Sequence, residues 1–204
     1  MPPVVGIVIA YLLGGIPAAY LTGRLLRGID LREHGSGNLG ATNVYRVLGA
    51  KAAIPVFAFD IAKGAAAVSV LPLFTHSSNA ATWALAYGLA AIAGHMRSPY
   101  LRWSSGGKGV ATALGVFVAL VPWATLTALA AWIAVFALSR FVSLASLASA
   151  VVLPTAIAIF DGVRSPVFIL SVVVSLAVVW THRANIDRLL RGQEQRVGHG
   201  RTAA

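Results

Sequence analysis

This chain is a succession of apolar stretches, nearly free of charge, separated by short polar or proline-marked breaks. That pattern restricts the fold more than any single residue does. Crossing a hydrocarbon core of about 30 Å takes roughly 20 apolar residues in a helix, which satisfies its own backbone hydrogen bonds in lipid. The stretches cover residues 3–23, 52–74, 80–94, 110–138, 142–160 and 167–180, and Pro122 divides the fourth of them. The fold expected is all-α: a polytopic integral membrane helical bundle of about seven transmembrane helices, with a short or re-entrant fourth helix. With 58% hydrophobic and 11% charged residues and a mean hydropathy of +0.80, the composition lies far from that of a soluble domain. No repeat, linker or soluble domain is visible. Residues 1–204 therefore read as a single integral membrane domain with a polar, loosely ordered tail over about 192–204.

The charges agree with this reading. Sixteen Lys and Arg stand against six Asp and Glu, a formal +10, and they cluster between the apolar stretches. Such clusters suit anionic headgroups and phosphorylated substrates. A nucleic-acid partner is not expected, because no basic patch on a soluble fold is present. The absence of cysteine excludes disulfides, thiolate metal sites and a cysteine nucleophile. Cytoplasmic loops carry the excess of Lys and Arg. With the N-terminus outside, segments 24–51, 97–108, Arg140 and 183–201 fall inside and hold every basic residue except Lys63 and Arg164. The first stretch lacks a basic leader and outruns a signal-peptide core, so it reads as a retained span.

Three polar segments then share the cytoplasmic side. In "HGSGNLGATNVYR", residues 34–46, Gly35, Gly37 and Gly40 alternate with Ser36, Asn38, Thr42 and Asn43 before Arg46. Glycines permit close backbone approach to a ligand, and exposed N–H groups with short polar side chains can surround an anion. A helix starting near Ala41 adds the partial positive charge of its N-terminus. The same composition also marks ordinary loops. In the second segment, Gly106, Gly107, Lys108 and Gly109 open directly into an apolar helix, a plausible phosphate grip or a basic cytoplasmic loop. It is not a Walker A loop, since Arg102 occupies the place of its first glycine and Gly109 that of its Ser/Thr. In "WTHRANIDRLLRGQE", His182 and Asn185 stand three apart and so share a helix face at the membrane surface.

Inside the spans, Asp60 and Lys63 each carry an insertion penalty of about 2.5 to 3.5 kcal/mol and are expected to pair. Ser139, Ser143 and Ser146 read as one packing stripe, and Gly14, Gly15 and Pro17 as close-packing and kink positions. His95, at the end of the third stretch, is either an interfacial residue or part of a site.

Taken together, "GSGNLGATNVYR", "GGKGVAT" and "HRANIDRLLRGQE" resemble the signatures of the PlsY family, the bacterial acyl-phosphate:glycerol-3-phosphate acyltransferases. The resemblance extends over "YLLGGIPAAYLTGRL" and "FDIAKG", almost the whole chain. Leu39 stands where the family usually has proline, and "PYLRWSSGGKG" departs from its usual approach to the second motif. The resemblance implies an enzyme of the bacterial inner membrane. It would transfer a fatty acyl group from acyl phosphate to the 1-hydroxyl of glycerol 3-phosphate, the first acylation of phospholipid synthesis, giving lysophosphatidic acid and phosphate. It implies Ser36, Lys108, His182 and Asn185 as catalytic residues. Gly35, Gly37, Asn38, Gly40, Thr42, Asn43, Arg46, Gly106, Gly107 and Gly109 would then hold the substrates' phosphates. Neither a metal nor a cofactor is expected; the partners are the two substrates, membrane lipid and, by weak contact, an enzyme that produces acyl phosphate. Direct transfer is favoured over an acyl-Ser36 intermediate, since no Ser-His-Asp arrangement is visible. His182 either orients a phosphate or acts as the base, and the departing phosphate is an alternative base. A small membrane transporter or channel for an anionic substrate competes with the enzyme, but would show a repeat and polar residues towards both faces.

Overall fold

The computed structural model describes residues 1–198, and among these the chain is helical, with one isolated antiparallel bridge between Arg97 and Ser105. Residues 199–204 of the expected tail lie outside the described residues. The chain forms two compact units, the second beginning at Val121.

The first unit contains α1 (Pro3–Gly15), α2 (Ala18–Arg27), α3 (Ala41–Leu48), α4 (Ala50–Ser69), α5 (Ala80–Met96) and α6 (Val110–Leu120). Its first apolar stretch is helical but broken. Pro17 supplies no N–H and pushes Ile16 out of the helical region, to ψ 115°, so α1 stops at Gly15 and α2 begins at Ala18. Small residues bring the helices together: a Cβ on Gly14 would lie 2.0 Å from the Ala91 carbonyl of α5, and one on Gly115 1.9 Å from the Ile61 carbonyl of α4. Only glycine permits such backbone approach, the packing mode expected where lipid offers no hydrophobic drive between helices. The expectation for Gly14 and Pro17 is met.

The interior around Tyr87 is accordingly small-sided, while many large apolar side chains point outward. Ala10, Ala67 and Ala91 pack around buried Tyr87, whereas Leu12, Ile54, Phe57 and Val118 are exposed. At one end of this unit the amino group of Met1 donates to the Phe74 carbonyl, and the His76 N–H to the Met1 carbonyl. At the other end the 28–40 and 97–109 loops meet.

The second unit contains α7 (Pro122–Ser139), α8 (Val142–Phe160), α9 (Pro166–Thr181) and α10 (Arg183–Leu190). Pro122 stands at the first position of α7, where a missing N–H is harmless. Arg140 adopts a left-handed conformation, φ 62°, and ends α7. This break corrects the serine stripe: Ser139 bonds back to the Val135 carbonyl of α7, while Ser143 and Ser146 belong to α8. A second correction concerns His182 and Asn185. The chain bends by 57° between α9 and α10 with His182 at the corner, so the two residues do not lie on one continuous helix.

Every apolar stretch read from the sequence is helical. Among the described residues, four helical segments, Pro3–Arg27, Ala50–Phe74, Pro122–Ser139 and Val142–Phe160, are long and apolar enough to cross a membrane, and the bent pair α9 and α10 makes up to five. With 17 residues in α5 and 11 in α6, length alone does not establish the count of seven.

Candidate active site

In the first unit the glycine-rich loop is shaped by one buried amide. Gly35 and Gly37 take left-handed conformations, φ 63° and 70°, that favour glycine, and the turn they make wraps Asn43. The Asn43 carbonyl oxygen accepts from the Ser36 N–H at 2.8 Å, and its NH₂ donates to the carbonyls of Leu31 and His34 at 3.1 and 3.0 Å. Asn43 thus braces the loop from the first turn of α3, leaving Ser36 exposed at its crest. The expected helix start near Ala41 is present, with Thr42 in its first turn and Arg46, half-buried, in its last.

Ahead of this loop, Asp30 is buried against two guanidinium groups. Arg32 donates to it at 2.6 Å and Arg24 at 3.5 Å, and both cations lie over the Tyr20 ring at 5.3 and 5.4 Å. The Arg32 hydrogen bond outweighs burial and brings the Asp30 carboxyl down from 3.8 to about 2. Arg32 also reaches the Ser104 hydroxyl at 3.2 Å.

The two motif loops are joined at a single carbonyl. Gly106 O accepts from the Leu39 N–H at 3.4 Å and, with the amide oriented to suit its neighbours, from Asn38 at 3.2 Å; the Asn38 oxygen then accepts from the Gly40 N–H at 3.3 Å. Leu39 itself is 4% exposed and packs with Ala19, Leu31 and Val44. On the far side, Arg102 and Trp103 carry the chain through consecutive left-handed positions, φ 54° and 55°, uncommon for such residues. Lys108 follows, half-buried, and Gly109 at φ 84° turns the chain into α6.

Beneath these loops a cavity opens at the break between α1 and α2, bounded by Leu39, Gly106 and Gly107 above and by Asp60, Lys63 and His95 below. Lys63 Nζ is 2.7 Å from Asp60 Oδ1 and donates to the Ile16 carbonyl at 3.1 Å, at the helix break, where the Ala18 N–H donates to the same carbonyl at 3.1 Å. The expected pairing of Asp60 with Lys63 is therefore present, and His95 Nδ1 joins it at 3.4 Å from the same oxygen.

In the second unit His182 and Asn185 are both buried. The Val178 carbonyl can only accept, so His182 Nδ1, 2.8 Å from it, carries the hydrogen and Nε2 is the basic nitrogen of the neutral ring. Asn185 donates to Glu194 Oε1 at 2.6 Å; Ser143 donates to the same oxygen at 2.7 Å and Arg188 to Oε2 at 2.7 Å. Burial raises the Glu194 carboxyl, but the bonds from Asn185, Ser143 and Arg188 prevail and hold it below its ordinary value. The Val197 N–H also donates to the Arg140 carbonyl and the Gln193 N–H to that of Arg188, so the start of the polar tail makes defined contacts. The cause is Glu194, whose charge gathers three donors.

Residues 4–192 match the sequence model of the family described as glycerol-3-phosphate acyltransferase. The chain belongs to that family. A glycerol-3-phosphate acyltransferase of Synechococcus sp. (strain CC9902) is 47% identical over 93% of this chain and 92% of its own. That of Chlorobaculum tepidum is 38% identical over 96% of both. Among solved structures, the crystal structure of PlsY, an integral membrane glycerol 3-phosphate acyltransferase, in its glycerol 3-phosphate form superposes with a TM-score of 0.86. It is 37% identical and the match covers 96% of each chain. The lysophosphatidic acid form gives 0.81, at 36% identity over 96% of this chain and 95% of the other. The chain is thus an acyltransferase and a multi-pass bacterial membrane protein.

Within this acyltransferase the first unit gathers Gly35, Ser36, Gly37, Asn38, Gly40, Thr42, Asn43, Arg46, Gly106, Gly107, Lys108 and Gly109 at one end, and the second carries His182 and Asn185. Sequence reasoning missed Asp30 and Glu194, and took Ser143 for packing. Glu194 did offer one signal, as the sole acidic residue after α10 in a stretch that bears Arg191, Arg196 and Arg201.

Proposed function

We propose that the chain transfers an acyl group from acyl phosphate to the 1-hydroxyl of glycerol 3-phosphate, releasing lysophosphatidic acid and inorganic phosphate. The observation that carries this reading is the Gly106 carbonyl, which holds the Ser36 loop, the N-terminus of α3 and the Lys108 loop together at one end of a polar cavity. The glycine-rich backbone, the N-terminus of α3 and the segment that bears Lys108 come together there, surroundings that suit phosphoryl oxygens. The two forms in which the related PlsY was crystallised, glycerol 3-phosphate and lysophosphatidic acid, name an acceptor and a product of this reaction.

In the proposed step the glycerol hydroxyl oxygen attacks the acyl carbonyl carbon, an ester bond forms, and the bond from that carbon to the phosphate oxygen breaks. The hydroxyl proton passes to the departing phosphate. Since the leaving group is already good, catalysis consists mainly of alignment and charge stabilisation. Lys108 and Arg46 are assigned to the phosphates, Ser36 to positioning. The apolar acyl chain explains why such chemistry belongs at a membrane boundary, and the basic segments assign it to the cytoplasmic side, with the N-terminus outside.

Purified protein in lipid, supplied with acyl phosphate and glycerol 3-phosphate, is expected to release phosphate and lysophosphatidic acid in equal amounts. Acyl-CoA in place of acyl phosphate is expected to give none. No phosphate release from the wild type would overturn the reading. Lys108→Ala is expected to lower turnover by about a hundredfold or more while the protein still inserts, as for other lost charge stabilisers.

A further inference from the structure

We propose that His95 is a positioning residue for the Lys108 loop: held by Asp60, its ring sets where Gly107 lies and thereby how Lys108 is presented. The inference rests on the acyl transfer proposed above. It begins with an excess of buried polarity. Asp60 and Lys63 would compensate each other as a pair, their side chains 3% and 1% exposed, and a helix gains nothing in lipid by adding a third ionisable group. Yet α5 supplies His95, its side chain 6% exposed, with Nδ1 facing the same Asp60 oxygen.

The other edge of that ring explains the arrangement. A Cβ built on Gly107 would lie 2.0 Å from His95 Nε2, 2.7 Å from Cε1 and 3.0 Å from Cδ2, so its three nearest neighbours all belong to the imidazole. The backbone repeats the contact: the Gly107 N–H donates to the His95 carbonyl at 3.2 Å and the Gly106 N–H to the Met96 carbonyl at 3.0 Å. Asp60 therefore fixes the ring, the ring fixes Gly107, and Lys108 is the next residue. Lys63 completes the support, since it holds Asp60 and the Ile16 carbonyl at the helix break together. Positioning of this kind matters because a displacement of about 1 Å in a reacting site can reduce the rate about a hundredfold. Partners one step removed from a ligand commonly change affinity or activity by about 10- to 100-fold when lost.

The experiment uses the full chain in lipid, with KM and kcat measured for both substrates and thermal unfolding followed in parallel. Gly107→Ala is expected to lower kcat/KM about a hundredfold, because its methyl displaces the loop from the ring. His95→Asn keeps an amide near Asp60 but withdraws the far edge, and should raise KM for a phosphorylated substrate about tenfold with a smaller change in kcat. His95→Gln, whose amide reaches the place of Nε2, should stay nearer the wild-type KM than His95→Asn does. The double variant His95→Asn, Gly107→Ala should recover about tenfold over Gly107→Ala alone, since the methyl then has room. A double variant no better than the product of its singles, or a wild-type KM in His95→Asn, overturns the proposal. Should Gly107→Ala not insert, the order of the two His95 variants decides: Asn at or nearer the wild-type KM than Gln overturns it. Failure of the wild type to release phosphate would instead sink the acyl-transfer reading, so the two failures are separate.

Discussion

Leu39 keeps an N–H that a proline in its place would lack, and that N–H is directed at the Gly106 carbonyl. Its side chain is buried in the cluster beneath the loop, so the residue links the two loops with its backbone and fills space with its side chain. Leu39→Pro should lose one hydrogen bond and destabilise by about 1 kcal/mol. Leu39→Ala should cost more, roughly 2 kcal/mol or above, from the cavity it opens; thermal unfolding of both variants in lipid checks the order. Asp30 gives a pH prediction. Its carboxyl lies at about 2 in the fold against 3.8 otherwise, first because Arg32 hydrogen-bonds it, so the unfolded chain takes up the proton earlier. The stability Asp30 contributes is full above pH 3.8 and is lost as pH falls towards 2, and Asp30→Asn should flatten that part of an unfolding-versus-pH curve. Ser36 and Lys108 were legible in the sequence because glycines flanked them. Asp30 was not, and Glu194 stood out only as a lone acid among arginines, since a carboxylate in a polar segment acquires its meaning from the cations that folding brings to it.

At the level of helices, apolar length and proline placement were legible, and every predicted stretch is helical. The break at Ile16 was foreshadowed by Pro17, but the bend at His182 was not, because "VWTHRAN" contains neither proline nor glycine. The serine stripe failed for a related reason: spacing assumes a continuous helix, and Arg140 interrupts it. Close packing through glycine leads to a further expectation. Gly115→Leu places a side chain where a Cβ already lies 1.9 Å from the Ile61 carbonyl, so α4 and α6 must separate. Its unfolding temperature should fall, with a loss of roughly 1 to 3 kcal/mol or more, whereas Val118→Leu, at an exposed apolar position, should change little.

For the molecule as a whole, composition alone indicated a membrane protein, while the number of crossings depended on helix lengths that hydropathy could not delimit. Orientation can be measured directly, because the chain has no cysteine to interfere. Ser105→Cys in the Lys108 loop should react with an impermeant maleimide only from the cytoplasmic face, and Ser78→Cys, beside His76, only from the outside. Labelling in the opposite sense would invert the proposed topology. The carbonyl shared by Asn38 and Leu39 has a thermodynamic corollary. If the two loops order as one body, an anion bound to either has already met part of the entropy that binding at the other requires. Two anionic ligands should then assist each other, and by linkage each must raise the other's affinity by the same factor.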